Sequence, residues 1–147
     1  MKNIVLVSGG FDPIHSGHIN LIKGASKFGE VVVLLNSDKW LRTKKGKEFL
    51  PYKEREIIMN SIKKVIDVIS FDDSDNTCIN GIQKAIDKFP NYNIKFANGG
   101  DRNDHTTPEV IFCNSNGVET LWKIGGDYKM NSSSWILKQW KQKNNHG

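Results

Sequence analysis

Residues 4–22 read "IVLVSGGFDPIHSGHINLI", and the spacing of apolar residues changes within them. Ile4 to Val7 is a short, continuous apolar run rich in β-branched residues, which fits a parallel strand covered on both faces. From Leu21 the pattern turns helical: Leu21, Ile22, Ala25 and Phe28 recur at helix spacing, and Gly29 stands where a helix C-cap is expected. Val31 to Leu35 is a second apolar run, so the segment predicts a β-α-β unit. Its first turn carries the chemistry. Gly9 and Gly10 let the chain turn tightly and a ligand approach the backbone, while Ser16 and Gly17 open a helix whose N–H groups attract anions. By position alone this turn is a phosphate site. His18 falls in the helix's first turn and His15 just before it, so their spacing can bring both imidazoles over one point in front of that helix end. A positive helix terminus disfavours protonated imidazole, so both rings are expected to act as neutral donors.

Outward from this unit, strands and helices keep alternating. A loop is expected from Ser37 to Pro51, then a helix marked by Ile58, Ile62 and Val65, and a third strand from Val68 to Phe71. Ile79, Ile82, Ile86 and Phe89 mark a helix that Pro90 stops, and Ile94 to Ala97 reads as the fourth strand. Thr107-Pro108-Glu109 starts a helix with proline at its first position, Gly117 ends it, and Val118 to Trp122 is the fifth strand. Ser132 to Ser134 cap a last helix in which Trp135, Leu137 and Trp140 alternate with Lys138 and Lys141. The expectation is an α/β fold: a single Rossmann-like, doubly wound domain over residues 1–141 with a five-stranded parallel sheet, followed by a polar tail, 142–147. Ligands of such a domain bind outside the C-terminal ends of its strands.

Composition bounds the partners. The chain has 147 residues, the size of one domain, with 21 basic against 16 acidic residues and a formal charge of +5. That balance favours anionic partners, with local clusters at Lys44, Lys45, Lys47 and at Lys138, Lys141, Lys143, but does not choose among nucleotides, phosphorylated metabolites and nucleic acid. No apolar run approaches the roughly 20 residues of a membrane span, and no signal-peptide pattern follows Met1, so no membrane partner and a cytoplasmic location are expected. Cys78 and Cys113 sit in apolar surroundings without metal spacing and read as buried thiols. A zinc site from His15, His18 and His105 would need a fourth ligand, so no metal is assigned to protein ligands. A dinucleotide fold would show G-x-G-x-x-G, which is absent.

"FDPIHSGHINLI" resembles the signature of the nucleotidyltransferase superfamily, the cytidylyltransferase-like or HxGH family, with His15-Ser16-Gly17-His18 as the motif. The stretch from Val31 to Ile62 is similar to bacterial heptose-phosphate adenylyltransferases and glycerol-phosphate cytidylyltransferases. "NGGD" at 98–101 sits where those enzymes carry a Gly-Gly-Asp or Gly-Asp-Asp segment, and "KMNSSSWILK" at 129–138 looks like their second signature. The resemblance implies transfer of a nucleoside monophosphate from an NTP, ATP or CTP, to a phosphorylated sugar or polyol, with release of pyrophosphate. It implies catalytic roles for His15, His18 and one of the loop lysines Lys44, Lys45 or Lys47, here taken as Lys45, and nucleotide contacts from Gly9, Gly10, Phe11, Asp12, Gly17, Asp101, Ser132 and Ser133. Arg55 and Lys47 would meet the acceptor phosphate, Mg²⁺ would bridge the triphosphate, and the enzyme would be a homodimer without nucleic-acid partners. Trp40, in the loop, could stack on a ligand. Asp127 stands where cytidylyltransferases have arginine, with Lys129 two residues later, whereas Asn36-Ser37-Asp38 matches the heptose-type branch. Nicotinate-mononucleotide adenylyltransferases, and a non-catalytic nucleotide- or RNA-binding module of the same fold, remain as alternatives.

Overall fold

Apolar residues at every position of a strand pay off only when helices cover both faces of the sheet, and the first two runs are placed in that way. The computed structural model describes residues 1–99 and 106–125, together with Lys138 and Lys141. The runs become β1 (Asn3–Gly9) and β2 (Glu30–Leu35), joined by α1 (Ser16–Ser26), and Ile4 to Val7 and Val31 to Leu35 have no exposed surface. There follow α2 (Asp38–Lys45), α3 (Tyr52–Asn60), β3 (Val65–Ser70), α4 (Ile79–Lys88), β4 (Asn93–Gly99), α5 (Pro108–Ser115) and β5 (Glu119–Ile124).

All four strand pairings are parallel, in the order β3-β2-β1-β4-β5. The chain winds from β1 outward to β3, then crosses to the other side for β4 and β5. The expected doubly wound fold with five parallel strands is therefore present, and its direction reverses between β1 and β4, where such sheets open a crevice at their carboxyl ends. Side chains alternate across the sheet. Val5, Val7, Val31, Val33 and Leu35 pack with Ile22 and Ala25 of α1 and Met59 of α3. Ile4, Leu6, Val32 and Leu34 pack on the opposite face with Ile82 and Ala85 of α4 and Cys113 of α5. Among the described residues no helix is long and apolar enough to cross a membrane.

Three elements differ from the sequence expectation. The stretch from Ser37 to Pro51 is not all loop, because Ser37 Oγ accepts from the Trp40 amide at 3.1 Å and starts α2. That helix buries only Leu41, so it leaves no apolar stripe to read, and Gly46 at φ +89° ends it. Val65 is not helical. α3 stops at Asn60, and Val65 opens β3, while Ile62 and Val65 pack into the same cluster as Met59 and so mimic a helical spacing. Gly29 does not cap α1, which ends at Ser26 with Lys27 as its C-cap. A Cβ on Gly29 would lie 2.5 Å from the Asn3 carbonyl oxygen, so glycine is there to let the chain pass β1 closely. Apart from Lys138 and Lys141, which are helical, the last helix and the tail lie outside the described residues.

Candidate active site

The turn between β1 and α1 is built by its own side chains. Phe11 takes a positive φ of +49°, the Asp12–Pro13 peptide is cis, and the Asp12 carboxylate is wholly buried. Its Oδ2 accepts from the Phe49 amide at 2.6 Å and its Oδ1 from the Leu50 amide at 2.7 Å, so Asp12 fastens the segment after α2 onto the turn. Lys45 Nζ completes the arrangement, 3.0 Å from Asp12 Oδ2 and bonded also to the Asp12 carbonyl.

The two histidines cap the helix. His15 Nδ1 accepts from the Gly17 amide at 3.0 Å, and His18 Nδ1 accepts from the His15 amide at 3.2 Å, a reciprocal box in which both side chains are imidazoles. A nitrogen that accepts carries no proton, so each neutral ring has its proton on Nε2. The rings stack, with centroids 3.8 Å apart and planes 26° from parallel, and Phe11 meets His18 edge-on at 4.8 Å. These contacts leave the two rings little freedom to turn. The two imidazoles thus lie together at the amino end of the helix, each with Nδ1 engaged by a backbone amide.

α2 brings the lysines. Its first turn is held by Asp73, whose carboxylate accepts from Asn36 Nδ2 at 3.0 Å, the Ser37 amide at 2.8 Å and Ser37 Oγ at 2.7 Å. Trp40 Nε1 donates to Asn76 Oδ1 at 3.0 Å, tying the helix to the loop after β3. Lys44 Nζ lies over the Trp40 ring, 4.8 Å from its centroid. The α1 turn, α2, the loop after β3 and the start of α5 then surround a cleft of about 540 Å³ at the carboxyl ends of β1 and β2. Its walls include Gly9, Gly10, Phe11, Asp12 and His18 of the turn, Trp40, Lys44 and Lys45 of α2, and Asn76, Thr77 and Glu109, whereas His15 is not among the cleft residues.

Not every expected residue takes the place given to it. Arg55 does not face the cleft. Its side chain is fully buried, and its guanidinium donates to Leu50, Gly10 and Asn36 carbonyls and to Asp38, so a phosphate has no access to it. Gly17 has its amide committed to His15. Asp12 lines the cleft, but its oxygens serve the backbone of Phe49 and Leu50. Lys47 is exposed and is not among the cleft residues. Asn36, Ser37 and Asp38, read as a branch marker, are structural here, each bonded to Asp73 or Arg55. Asp101, His105, Asp127, Lys129, Ser132 and Ser133 lie outside the described residues. Sequence reasoning missed Asp73 and Asn76. Nothing in "DDSDN" separates Asp73 from the acidic residues beside it. Cys78 lines the cleft but is inert: burial above all, and Glu109 next, push its thiol up to about 12. Among the described residues no three metal-binding side chains form a group.

The sequence profile of the cytidylyltransferase-like family matches residues 6–135. The chain belongs to the cytidylyltransferase-like family. This is a family of nucleotidyltransferases, as the HxGH motif implied. Among its relatives, the bifunctional protein HldE of Enterobacter sp. (strain 638) is 32% identical over 130 residues, covering 86% of this chain and 24% of the relative. HldE of Blochmanniella floridana is 36% identical over 105 residues, 69% of this chain and 20% of that protein. The chain thus spans about a quarter of the length of these relatives. In fold, this cytidylyltransferase-like chain is similar to a lipopolysaccharide core biosynthesis protein from Thermoplasma volcanium, with a TM-score of 0.66 at 21% identity over 88% of this chain and 99% of the other. It is also similar to a putative nicotinate-nucleotide adenylyltransferase from Vibrio parahaemolyticus, with a TM-score of 0.60 at 16% identity over 97% and 88%.

Proposed function

We propose that the chain transfers a nucleoside monophosphate from ATP or CTP to a phosphorylated sugar or polyol. The observation that carries this reading is the cleft itself, where His18, stacked on His15, and Lys45 line the carboxyl ends of β1 and β2. A phosphate oxygen of the acceptor attacks the α-phosphorus in line, the bond from that phosphorus to the bridging oxygen of the β-phosphate breaks, and pyrophosphate leaves with the electron pair. Such transfers ask the protein for alignment and stabilisation of negative charge. His15 and His18, each with its proton on Nε2, donate to the α-phosphate oxygens as charge builds there. Lys45 exchanges its contact with Asp12 for the triphosphate. On the resemblance, Ser132 and Ser133 hold the β- and γ-phosphates, and Asp101 lies beside the nucleoside.

Mg²⁺ fits this set as a passenger of the triphosphate: the buried Asp12 carboxylate is already occupied by two amides and a lysine. When bound, the ion neutralises phosphate charge and steadies the leaving pyrophosphate. A cytoplasmic homodimer goes with this reading. Its test pairs each of the four NTPs with a panel of sugar phosphates, polyol phosphates and nicotinate mononucleotide, and measures pyrophosphate. Release that needs both an NTP and a sugar or polyol phosphate is expected. Release only with the mononucleotide would move the chain to the alternative branch, and nucleotide binding without release under any pairing would make it a binding module.

A further inference from the structure

The fully buried arginine of α3 is the least expected feature beneath the cleft. Burying a guanidinium is unfavourable unless its donors are met, and Arg55 makes four hydrogen bonds to three separate stretches of the chain. Nε donates to the Leu50 carbonyl at 2.9 Å, just before α3. Nη1 donates to the Gly10 carbonyl at 3.0 Å, in the histidine turn, and to the Asn36 carbonyl at 2.8 Å, past the end of β2. Nη2 pairs with Asp38 Oδ1 at 2.7 Å, in the first turn of the lysine helix α2. The Tyr52 ring lies 5.5 Å from Cζ.

In a doubly wound sheet the loops at the carboxyl ends hang from separate strands, so nothing in the sheet fixes one loop against the next beyond the strand ends. A planar, rigid fork does, because the separation of the acceptors at Gly10, Asn36 and Asp38 follows the geometry of one guanidinium. The histidine turn and the lysine helix are the two walls that must close on one triphosphate. We propose that Arg55 is a positioning residue, which sets the distance and angle between the His15/His18 turn and the Lys44/Lys45 helix without touching any ligand. This rests on the nucleotidyl-transfer reading for its kinetic consequences, though not for its structural ones.

An error of about 1 Å in alignment costs on the order of 100-fold in rate. Arg55→Lys keeps the charge but cannot span the acceptors, and is expected to lower kcat about 100-fold while the NTP dissociation constant and the acceptor KM move less than about threefold. Asp38→Asn, at a partly exposed position, lowers kcat about fivefold and adds no further loss in the Arg55→Lys background, the mark of one coupled unit. It also keeps the idea testable if Arg55→Lys fails to fold. The exposed neighbour Lys53→Gln is the control and leaves kcat unchanged. A tenfold rise in nucleotide dissociation constant or acceptor KM with kcat intact would overturn the proposal, making Arg55 a ligand contact, as would a null effect of both variants. Amide hydrogen exchange separates this outcome from failure of the activity itself. If the parent protein releases no pyrophosphate with any pair, exchange rising at least tenfold together in 10–18 and 37–45 of either variant still supports the positioning role, and a rise confined to α3 refutes it.

Discussion

Replacing His15 by asparagine and by alanine separates its two roles. His15 accepts the Gly17 amide through Nδ1 at 3.0 Å and so acts as the N-cap of α1. Its Nε2 is the atom assigned to the phosphate. Asparagine retains a side-chain oxygen able to accept the same amide but has nothing at the Nε2 position, and alanine has neither. Loss of an N-cap costs about 1 kcal/mol, which for a chain of this size lowers Tm by about 2 to 4 °C. Loss of one preorganised donor to the developing charge costs about 3 to 4 kcal/mol of transition-state stabilisation, or about 100- to 1,000-fold in kcat. His15→Ala is therefore expected to lose both, and His15→Asn to lose activity to the same extent while keeping its Tm within about 1 °C. Differential scanning fluorimetry and a pyrophosphate-release assay on the same preparations read the two quantities. If His15→Asn restored most of the activity, His15 would be only a cap. If His15→Ala melted at the parent temperature, the cap would carry no weight.

Other consequences follow from particular contacts. His18→Ala should lower turnover by about 100-fold or more, as for any single donor of this kind; near-full activity would refute its assignment. Cys78 and Cys113, pushed up to about 12 and about 11 mainly by burial, hold less than about one part in a thousand of thiolate at pH 8, so a thiol reagent should label them at least about 100-fold more slowly than a free cysteine until the protein is unfolded. Arg42 bonds Glu48 at 2.7 Å and holds its carboxyl down at about 2, so the contribution of Glu48 is fully present above the ordinary value of 4.5 and is lost as pH falls through about 2. Any Tm difference between the parent and Glu48→Gln should accordingly be constant from pH 5 to 7 and shrink towards pH 2; a difference that grows on acidification would contradict the sign. Gly29→Ala should destabilise by about 1 to 3 kcal/mol, because its Cβ would lie 2.5 Å from a backbone oxygen, and denaturant titration would show this as a lower midpoint.

The strands and the histidine turn were legible because one physical constraint leaves one local mark. A strand covered on both faces must be apolar throughout, and a tight approach to phosphate needs small residues before a helix. What could not be read was settled by partners far along the chain. α2 has no apolar stripe; it exists because Ser37 caps it and because Asp73, Arg55 and Asp12 hold its two ends from 36, 17 and 33 residues away. Val65 kept helical spacing with Ile62 because both pack into the same cluster on one face of the sheet, and position in space produced the same pattern that a continuous helix would have.

The same distinction explains why several charged residues of the site proved structural. Asp12 and Arg55 lie within a short reach of the cleft, as the motif suggests, yet their polar atoms are bonded to backbone amides and carbonyls of the loops that form it, and Asp38 accepts from Arg55. A site for a highly charged ligand must hold cationic walls apart from one another before the ligand arrives, and buried carboxylate-to-amide and guanidinium-to-carbonyl bonds do so with direction as well as strength. On the proposed reading the groups that face the triphosphate include half-buried ones, His18 and Lys45, whose present contacts fix their orientation. Sequence spacing places these residues in or beside the loops that form the cleft, and burial separates those that hold the loops from those open to it.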